Sequence, residues 1–257
     1  MRTRDEGGAS GPLDRDVLVT GADGVIGRVL RARFAGQGIT FTDRDTLDVS
    51  SRFGLAGHLL GYKTVVHLAT TLRAPIVDAA RAVASLRLAR NVVQASLEAR
   101  VTRVVLMSSI RAADLPLEWR GREAELAWTP MVGRTGRAIE RLGQRAARSG
   151  LDIIAIRCGA MIWPDRPLSG LQGGVWLSHE DCRDIFRLCF DEPMMPGRFI
   201  RFTAVSDTRL RRHDTSNPIG WVSGTRAFGI RRYLHYRKVQ IKSALKTGID
   251  RWLTWSR

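Results

Sequence analysis

A chain of 257 residues with 44% hydrophobic content is long enough for one domain with a sizeable core, and it has no run of about eighteen apolar residues, which excludes a membrane-spanning helix. Three cysteines, Cys158, Cys182 and Cys189, with no C-x-x-C spacing, exclude a disulfide framework and a zinc site and point to a reducing, cytoplasmic setting. The net charge is +16, yet the basic residues, all arginine except Lys63, Lys238, Lys242 and Lys246, are scattered along the chain without a nucleic-acid-binding motif, so the expected partner is an anionic small molecule, a nucleotide-sugar, a phosphate ester or a carrier-linked acyl chain, and not nucleic acid.

Residues 1–14 read as a flexible polar tail, without the apolar segment of a secretion signal. Val17–Thr20 is a short apolar run followed at once by Gly21, Gly24 and Gly27, and apolar residues then recur at Val25, Ile26, Val29 and Leu30. That pattern is strand, tight turn, helix. Glycine is needed where the chain turns sharply, where backbone approaches a pyrophosphate and where helix packs close on strand. The helix N-terminus offers unpaired N–H groups and a positive dipole end to phosphates. Gly36-Gln37-Gly38 closes this helix, and Ile39–Thr42 is the second strand. Asp43 stands where a dinucleotide fold places the carboxylate for the ribose hydroxyls, and Arg44 stands where a cation would take a 2′-phosphate, so NAD and NADP both remain open.

The pattern predicts a short helix over residues 52–60, a strand over Thr64–Ala69, a long helix over Ala79–Arg100 and a strand over Val101–Ser109. A helix lies in the Thr129–Leu142 segment, followed by a strand from Leu151 that exits at Ala160. An apolar helix follows Asp184. Residues 227–257 form a basic aromatic extension, with eight cations from Arg231 to Arg257 against Asp250 and with Tyr233, Tyr236, Trp252 and Trp255 interleaved. Such a helix suits a membrane surface, an acidic partner or a solvated tail packed by its aromatics; membrane contact is the less expected of these.

The Gly-x-x-Gly-x-x-Gly turn, the Val65-Val66-His67-Leu68-Ala69 strand and the Val101–Ser109 strand ending in Ser108-Ser109 resemble the extended short-chain dehydrogenase/reductase family, the NAD-dependent epimerase/dehydratase group. The resemblance covers roughly residues 15–226. It implies an α/β, Rossmann-like, doubly wound parallel sheet with a small, reduced C-terminal substrate lobe formed mainly by residues 160–226. It places NAD or NADP on Gly21, Asp23, Gly24, Val25, Ile26, Gly27, Asp43 and Arg44. Thr46–Ser51 follows the second strand almost without a gap, as in the dTDP-4-dehydrorhamnose reductase branch, which implies adenine contacts for Asp48 and Val49. Leu68 and Ala69 match cofactor-lining positions, and His67 reads as a structural histidine. Ser109 matches the residue that binds the reacting hydroxyl or carbonyl. Arg157 and Gly159 match the loop passing the nicotinamide, which brings Cys158 and Ala160 to the cofactor. The Trp176–Asp181 segment is similar to the uronate dehydrogenase branch, which implies that Arg157 and His179 meet an anionic substrate. The long helix and the next imply a homodimer.

The chain departs from the family at its Tyr-x-x-x-Lys pair. Gly133, Thr135 and Glu140 hold the register, so Val132 takes the tyrosine position and Gly136 the lysine position. The tyrosine gives or takes the proton, and losing a positioned acid or base costs ~10²–10⁴-fold. Ser109, Arg111, Arg157 and His179 are the catalytic candidates that remain, with Asp114, Glu118, Glu123 and Glu125 as nearby acids. The expected function is an NAD(P)-dependent oxidoreductase or epimerase/dehydratase with an atypical acid/base, acting on a polar, sugar-like or biosynthetic intermediate. The alternatives are a non-redox cyclase, dehydratase or isomerase on the same fold, and a cofactor-sensing binding protein. A Val132→Tyr, Gly136→Lys double variant is expected to gain dehydrogenase activity or lose native activity, and Ser109→Ala to reduce whatever the chain does.

Overall fold

The computed structural model describes residues 16–72, 78–126 and 129–225. The expected tail at 1–14 and the basic extension at 227–257 lie outside the described residues.

Strands and helices alternate: β1 (Val17–Thr20), α1 (Val25–Phe34), β2 (Ile39–Thr42), α2 (Leu55–Leu59), β3 (Thr64–His67), α3 (Ala79–Glu98), β4 (Arg103–Ser109), α4 (Pro130–Arg148), β5 (Asp152–Cys158), α5 (His179–Asp191) and β6 (Phe199–Ala204). The six strands form one parallel sheet in the order β2-β1-β3-β4-β5-β6. A parallel sheet needs both faces covered, and the strands here are apolar almost throughout. Along β5, Ile154, Ile156 and Cys158 point into a core shared with α1 and α5, while Ile153 points into the core under α2, α3 and α4. Strand order reverses between β2-β1 and β3, so a crevice opens at the carboxyl ends of β1 and β3.

The sequence reading did not see β6. Its run Phe199-Ile200-Arg201-Phe202-Thr203, which follows the Pro196-Gly197 turn, carries two polar residues, and pairing with β5 makes it a strand. The segment expected as a small C-terminal lobe therefore contributes β6 to the sheet and packs α5 into the core beside α1. What stands apart is a small cluster of Ile110, Trp119, Leu126, Val175 and Val205 above the sheet's carboxyl end. The returning chain is pinned to α5 by Asp181, fully buried, whose carboxylate accepts from Ser223 Oγ (2.7 Å) and from the backbone N–H of Gly224 (2.9 Å).

At the opposite end of the sheet, Arg103 and Asp152 are both fully buried and paired through Nη2 and Oδ2 at 2.6 Å. Arg103 also donates to the carbonyls of Cys189, Glu192 and Pro193. A charge pair this deep persists only because each polar atom is satisfied.

Candidate functional site

The glycine turn divides its labour among three residues. Gly21 adopts φ +73°, and a Cβ there would sit 2.5 Å from the Ala69 backbone nitrogen. It makes the turn and lets the end of β1 touch the end of β3. Gly27 packs on the turn itself, since a Cβ would come within 2.4 Å of the Ala22 carbonyl oxygen. Gly24 is different: its φ is −68°, it is the N-cap of α1, and a Cβ would meet only the Gly21 carbonyl, at 3.4 Å. No side chain caps α1, and its first turn holds no acid. The positive end of the helix, with Asp23, Val25 and Ile26 around it, thus faces the crevice with its N–H groups available for an anion. Arg28, which the sequence reading passed over, folds back to donate from Nε to the Asp23 carbonyl at 3.0 Å. It adds a cation to the same mouth.

Asp43 follows β2. Its Oδ1 accepts from Asp45 N (3.1 Å), Thr46 N (3.0 Å) and Thr46 Oγ1 (2.9 Å), and these bonds hold the carboxyl below its usual range. All three converge on Oδ1. Arg44, next in the chain, is exposed. The Asp48 carboxylate accepts from Ser50 N and Ser50 Oγ, both at 2.8 Å, which likewise lowers its pKa. Val49 is buried. Asn91 of α3, missed by the sequence reading, donates to the Val49 and Ser50 carbonyls at 3.0 Å each and fixes this loop. A lone asparagine on the apolar face of a predicted helix was the available signal.

Leu68 and Ala69 are half-buried at the end of β3, against the Gly21 turn. His67 is buried and bonded through Nδ1 to Thr20 Oγ1 at 3.0 Å; burial pushes its pKa down to about 4. It is neutral and structural, as its sequence position suggested. The glycine turn, Asp43, Asp48, Val49, Leu68 and Ala69 lie along the carboxyl ends of β1, β2 and β3, and they suit an extended dinucleotide: phosphate donors at α1, a carboxylate one strand away, and apolar lining on β3.

The catalytic candidates are less convergent. Ser109 ends β4, and its Oγ accepts from the Arg111 backbone N–H at 3.2 Å as it caps a 3-10 turn over Ile110–Ala112. Arg111 is half-buried, and desolvation lowers its pKa. Arg157 points to the α4 face and pairs with Glu140 through two bonds of 2.8 Å. Glu140 is 3% exposed and also accepts from Ser108 Oγ at 2.7 Å and Arg201 Nη1 at 3.4 Å. The arginine expected to meet substrate is thus already engaged by a carboxylate of the protein. Cys158 turns its thiol into the α1/α5 core, where burial pushes it up to about 12, so only its backbone is left to approach a cofactor. Ala160 makes an isolated bridge to Trp176.

His179 is the first residue of α5. Its Nε2 bonds to the Ile162 carbonyl at 2.8 Å, its backbone N–H donates to Asp165 Oδ2 at 3.0 Å, and its ring stacks on Trp163 with centroids 5.2 Å apart. These bonds fix a loop. They do not join it to Ser109, Arg111 or Arg157, which sit on the β4 and α4 side.

Val132 is 9% exposed. Gly136 lies against the end of β4, where a Cβ would come 2.7 Å from Ser108 Oγ and 3.1 Å from the Ala112 Cβ. A Cβ on Gly133 would be 2.2 Å from the Arg111 carbonyl oxygen. The helix therefore lies so close to β4 and the 3-10 turn that Gly136→Lys would force Ser108 to shift, a cost carried by the double variant expected to gain dehydrogenase activity or lose native activity. Of the nearby acids, Asp114 and Glu118 line a cavity of about 560 Å³ with Arg157, Arg201, Arg212 and His213. Glu123 and Glu125 do not reach it; Glu125 pairs with Arg122. Burial and Arg157 lower His213 to about 4. Among the described residues no group of acids, histidines and cysteines could hold a metal ion, and no helix is long and apolar enough to cross a membrane.

The model of the NAD dependent epimerase/dehydratase family matches residues 17–168. No curated protein matches the chain in sequence. Among solved structures, the uronate dehydrogenase from Agrobacterium tumefaciens superposes with a TM-score of 0.68 at 20% identity, covering 86% of this chain and 88% of that one. A mutant of that enzyme was solved complexed with NAD. Glucuronic acid dehydrogenase from Chromohalobacter salexigens gives 0.66 at 16% identity, over 86% and 88% of the two chains. UDP-N-acetylglucosamine 4-epimerase from Bacillus cereus gives 0.57 at 19% identity, over 75% and 76%. At these identities the likeness is one of fold.

Proposed function

Because the chain belongs to the NAD dependent epimerase/dehydratase family, we propose that it binds NAD or NADP across the ends of β1, β2 and β3 and acts on a small, polar, sugar-like or biosynthetic intermediate. The observation that carries this reading is the uncapped N-terminus of α1, opened by Gly24, one strand away from the ionised Asp43. The pyrophosphate would take the α1 N–H groups. Asp43 Oδ2 would accept from the ribose hydroxyls, and the loop held by Asn91 would border the adenine. When bound, the nicotinamide gives or takes a hydride.

The residues around the reacting centre would differ from the family's usual set. Val132 and Gly136 stand where a proton donor and its lysine are expected, so proton transfer would fall to another group. Ser109 would orient a hydroxyl or carbonyl by hydrogen bonding, and Arg111, partly desolvated beside it, would stabilise developing negative charge. Neither is a base at neutral pH. The buried Val132 and the filled space at Gly136 support a second reading, in which the chain keeps the nucleotide site and catalyses a non-redox step or only senses cofactor.

Calorimetric titration with NAD, NADH, NADP and NADPH tests the nucleotide site. Binding is expected for one pair, weakened at least tenfold by Asp43→Ala, and Arg44→Ala should weaken only the phosphorylated pair if that is the ligand. No binding at millimolar concentration would overturn the reading. Incubation with candidate intermediates followed by mass analysis separates the two chemistries. A shift of two hydrogens marks redox turnover, and unchanged mass or loss of water marks the non-redox step.

A further inference from the structure

The cavity beside β5 and β6 has a floor built from three polar side chains of the sheet. Ile200, Phe202 and Ala204 of β6 point into the core shared with α1 and α5, so Arg201 and Thr203 point the other way. Arg157 stands opposite Thr203 in the parallel register and shares that face. All three line the cavity of about 560 Å³, whose walls are the loop after β4, residues 113–118, and the loop after β6, residues 212–216. Thr203 is 8% exposed, and among the described residues its hydroxyl has no hydrogen-bond partner. Arg157 engages Glu140 through Nε and Nη2, and Arg201 reaches Glu140 only through Nη1, at 3.4 Å. Nη1 of Arg157, and Nε and Nη2 of Arg201, make no bond among the described residues. The floor thus holds one buried hydroxyl and several N–H donors that the protein itself does not use.

The walls carry the opposite sign. Asp114 and Glu118 line the cavity and form no ion pair among the described residues, although Arg201 and Arg212 line it too. Arg212 donates instead to the Arg209 and Arg211 carbonyls, and the third acid, Asp214, accepts from Ser216 N and Oγ. Opposite charges that share a cavity without meeting are held apart by the fold. His213 lines it as well, and burial and the Arg157 charge lower it to about 4, so positive potential prevails beside it in spite of the acids. We propose that this cavity binds a small zwitterion of the amino-acid type, its carboxylate on the Thr203 hydroxyl and the unused N–H groups of Arg157 and Arg201, its ammonium on Asp114 and Glu118. Guanidinium forks match a carboxylate. A phosphate dianion would gain the same donors but would meet the wall acids with like charge. A simple amine would gain the acids and leave the floor unmatched. β3 and β4 separate β1 from this cavity, and the inference is independent of the nucleotide site.

Saturation-transfer NMR of the full chain with the standard amino acids, followed by calorimetry on the tightest binder, tests it. The N-acetyl form of that amino acid keeps the carboxylate and loses the ammonium, and its amide does the reverse. Each should bind at least about tenfold more weakly, the loss of one charged contact. Thr203→Val should weaken the amino acid by about tenfold. It should leave the Tm of the free chain and its nucleotide titration at parental values, since the hydroxyl has no partner to lose. The Asp114→Asn, Glu118→Gln double variant should weaken the amino acid and not the N-acetyl form. No amino acid bound at millimolar concentration, an N-acetyl form bound as tightly as its parent, or parental affinity in Thr203→Val would each overturn the proposal. A lowered Tm in Thr203→Val would mark the hydroxyl as structural and overturn it too. Failure of nucleotide binding alone would bear on the glycine turn and not on this cavity.

Discussion

Glu140 and Arg157 meet as a two-bond ion pair, Nε to Oε1 and Nη2 to Oε2, each at 2.8 Å, between α4 and β5. Glu140 is 3% exposed and Arg157 17%, so the pair is largely out of water. Removing one partner leaves a charge without compensation in a poor solvent. Glu140→Ala is therefore expected to cost about 3–5 kcal/mol of stability, and the Glu140→Leu, Arg157→Met double variant clearly less. Urea unfolding of the parent and both variants measures this. Equal losses would mean that the pair matters for packing and not for charge.

Gly24 and Gly27 should separate binding from folding. Gly24 has an ordinary φ, and a Cβ there would meet only the Gly21 carbonyl at 3.4 Å, so Gly24→Val is expected to fold with nearly parental Tm while losing at least tenfold in nucleotide affinity. Gly27→Ala would drive a Cβ into the Ala22 backbone and is expected to cost about 1–3 kcal/mol by overpacking. Thermal melts paired with calorimetry check both.

Gly136→Ala is a smaller version of the same test on α4. Its methyl would press on Ser108 Oγ and the Ala112 Cβ, so destabilisation of about 1–3 kcal/mol is expected. A variant with parental stability would show that α4 can move away from β4, and that a lysine could be housed there after all.

His67 makes stability depend on pH. Its folded pKa is about 4, against 6.5 for the free side chain, so the unfolded chain binds a proton that the folded chain refuses. The neutral form costs nothing above pH 6.5. Stability then falls as pH drops from 6.5 toward 4, by about 3 kcal/mol at the end of that window. Denaturation midpoints across this range should show the slope, and His67→Gln should remove the His67 share of it while leaving the share of His213, whose pKa is also lowered to about 4.

The sequence alone determined the glycine-turn end of the fold. Gly21, Gly24 and Gly27 answer to local backbone geometry, and Asp43 follows from the length of the second strand, so nearest-neighbour pattern was enough to place them. The alternating strands and helices carry the same kind of local signal. What the tertiary structure decided is everything that depends on partners distant in sequence. β6 is a strand because β5 offers it a ladder, and the segment expected as a substrate lobe adds that one strand to the sheet. Arg157 is bound to Glu140 because β5 and α4 meet there, and His179 turns to Ile162 and Trp163 instead of joining Ser109. Gly136 is filled space and not a vacancy for lysine, because α4 sits against β4. Whether arginines are scattered or gathered cannot be read along a chain, since charge acts through space and the fold alone sets which charges are neighbours.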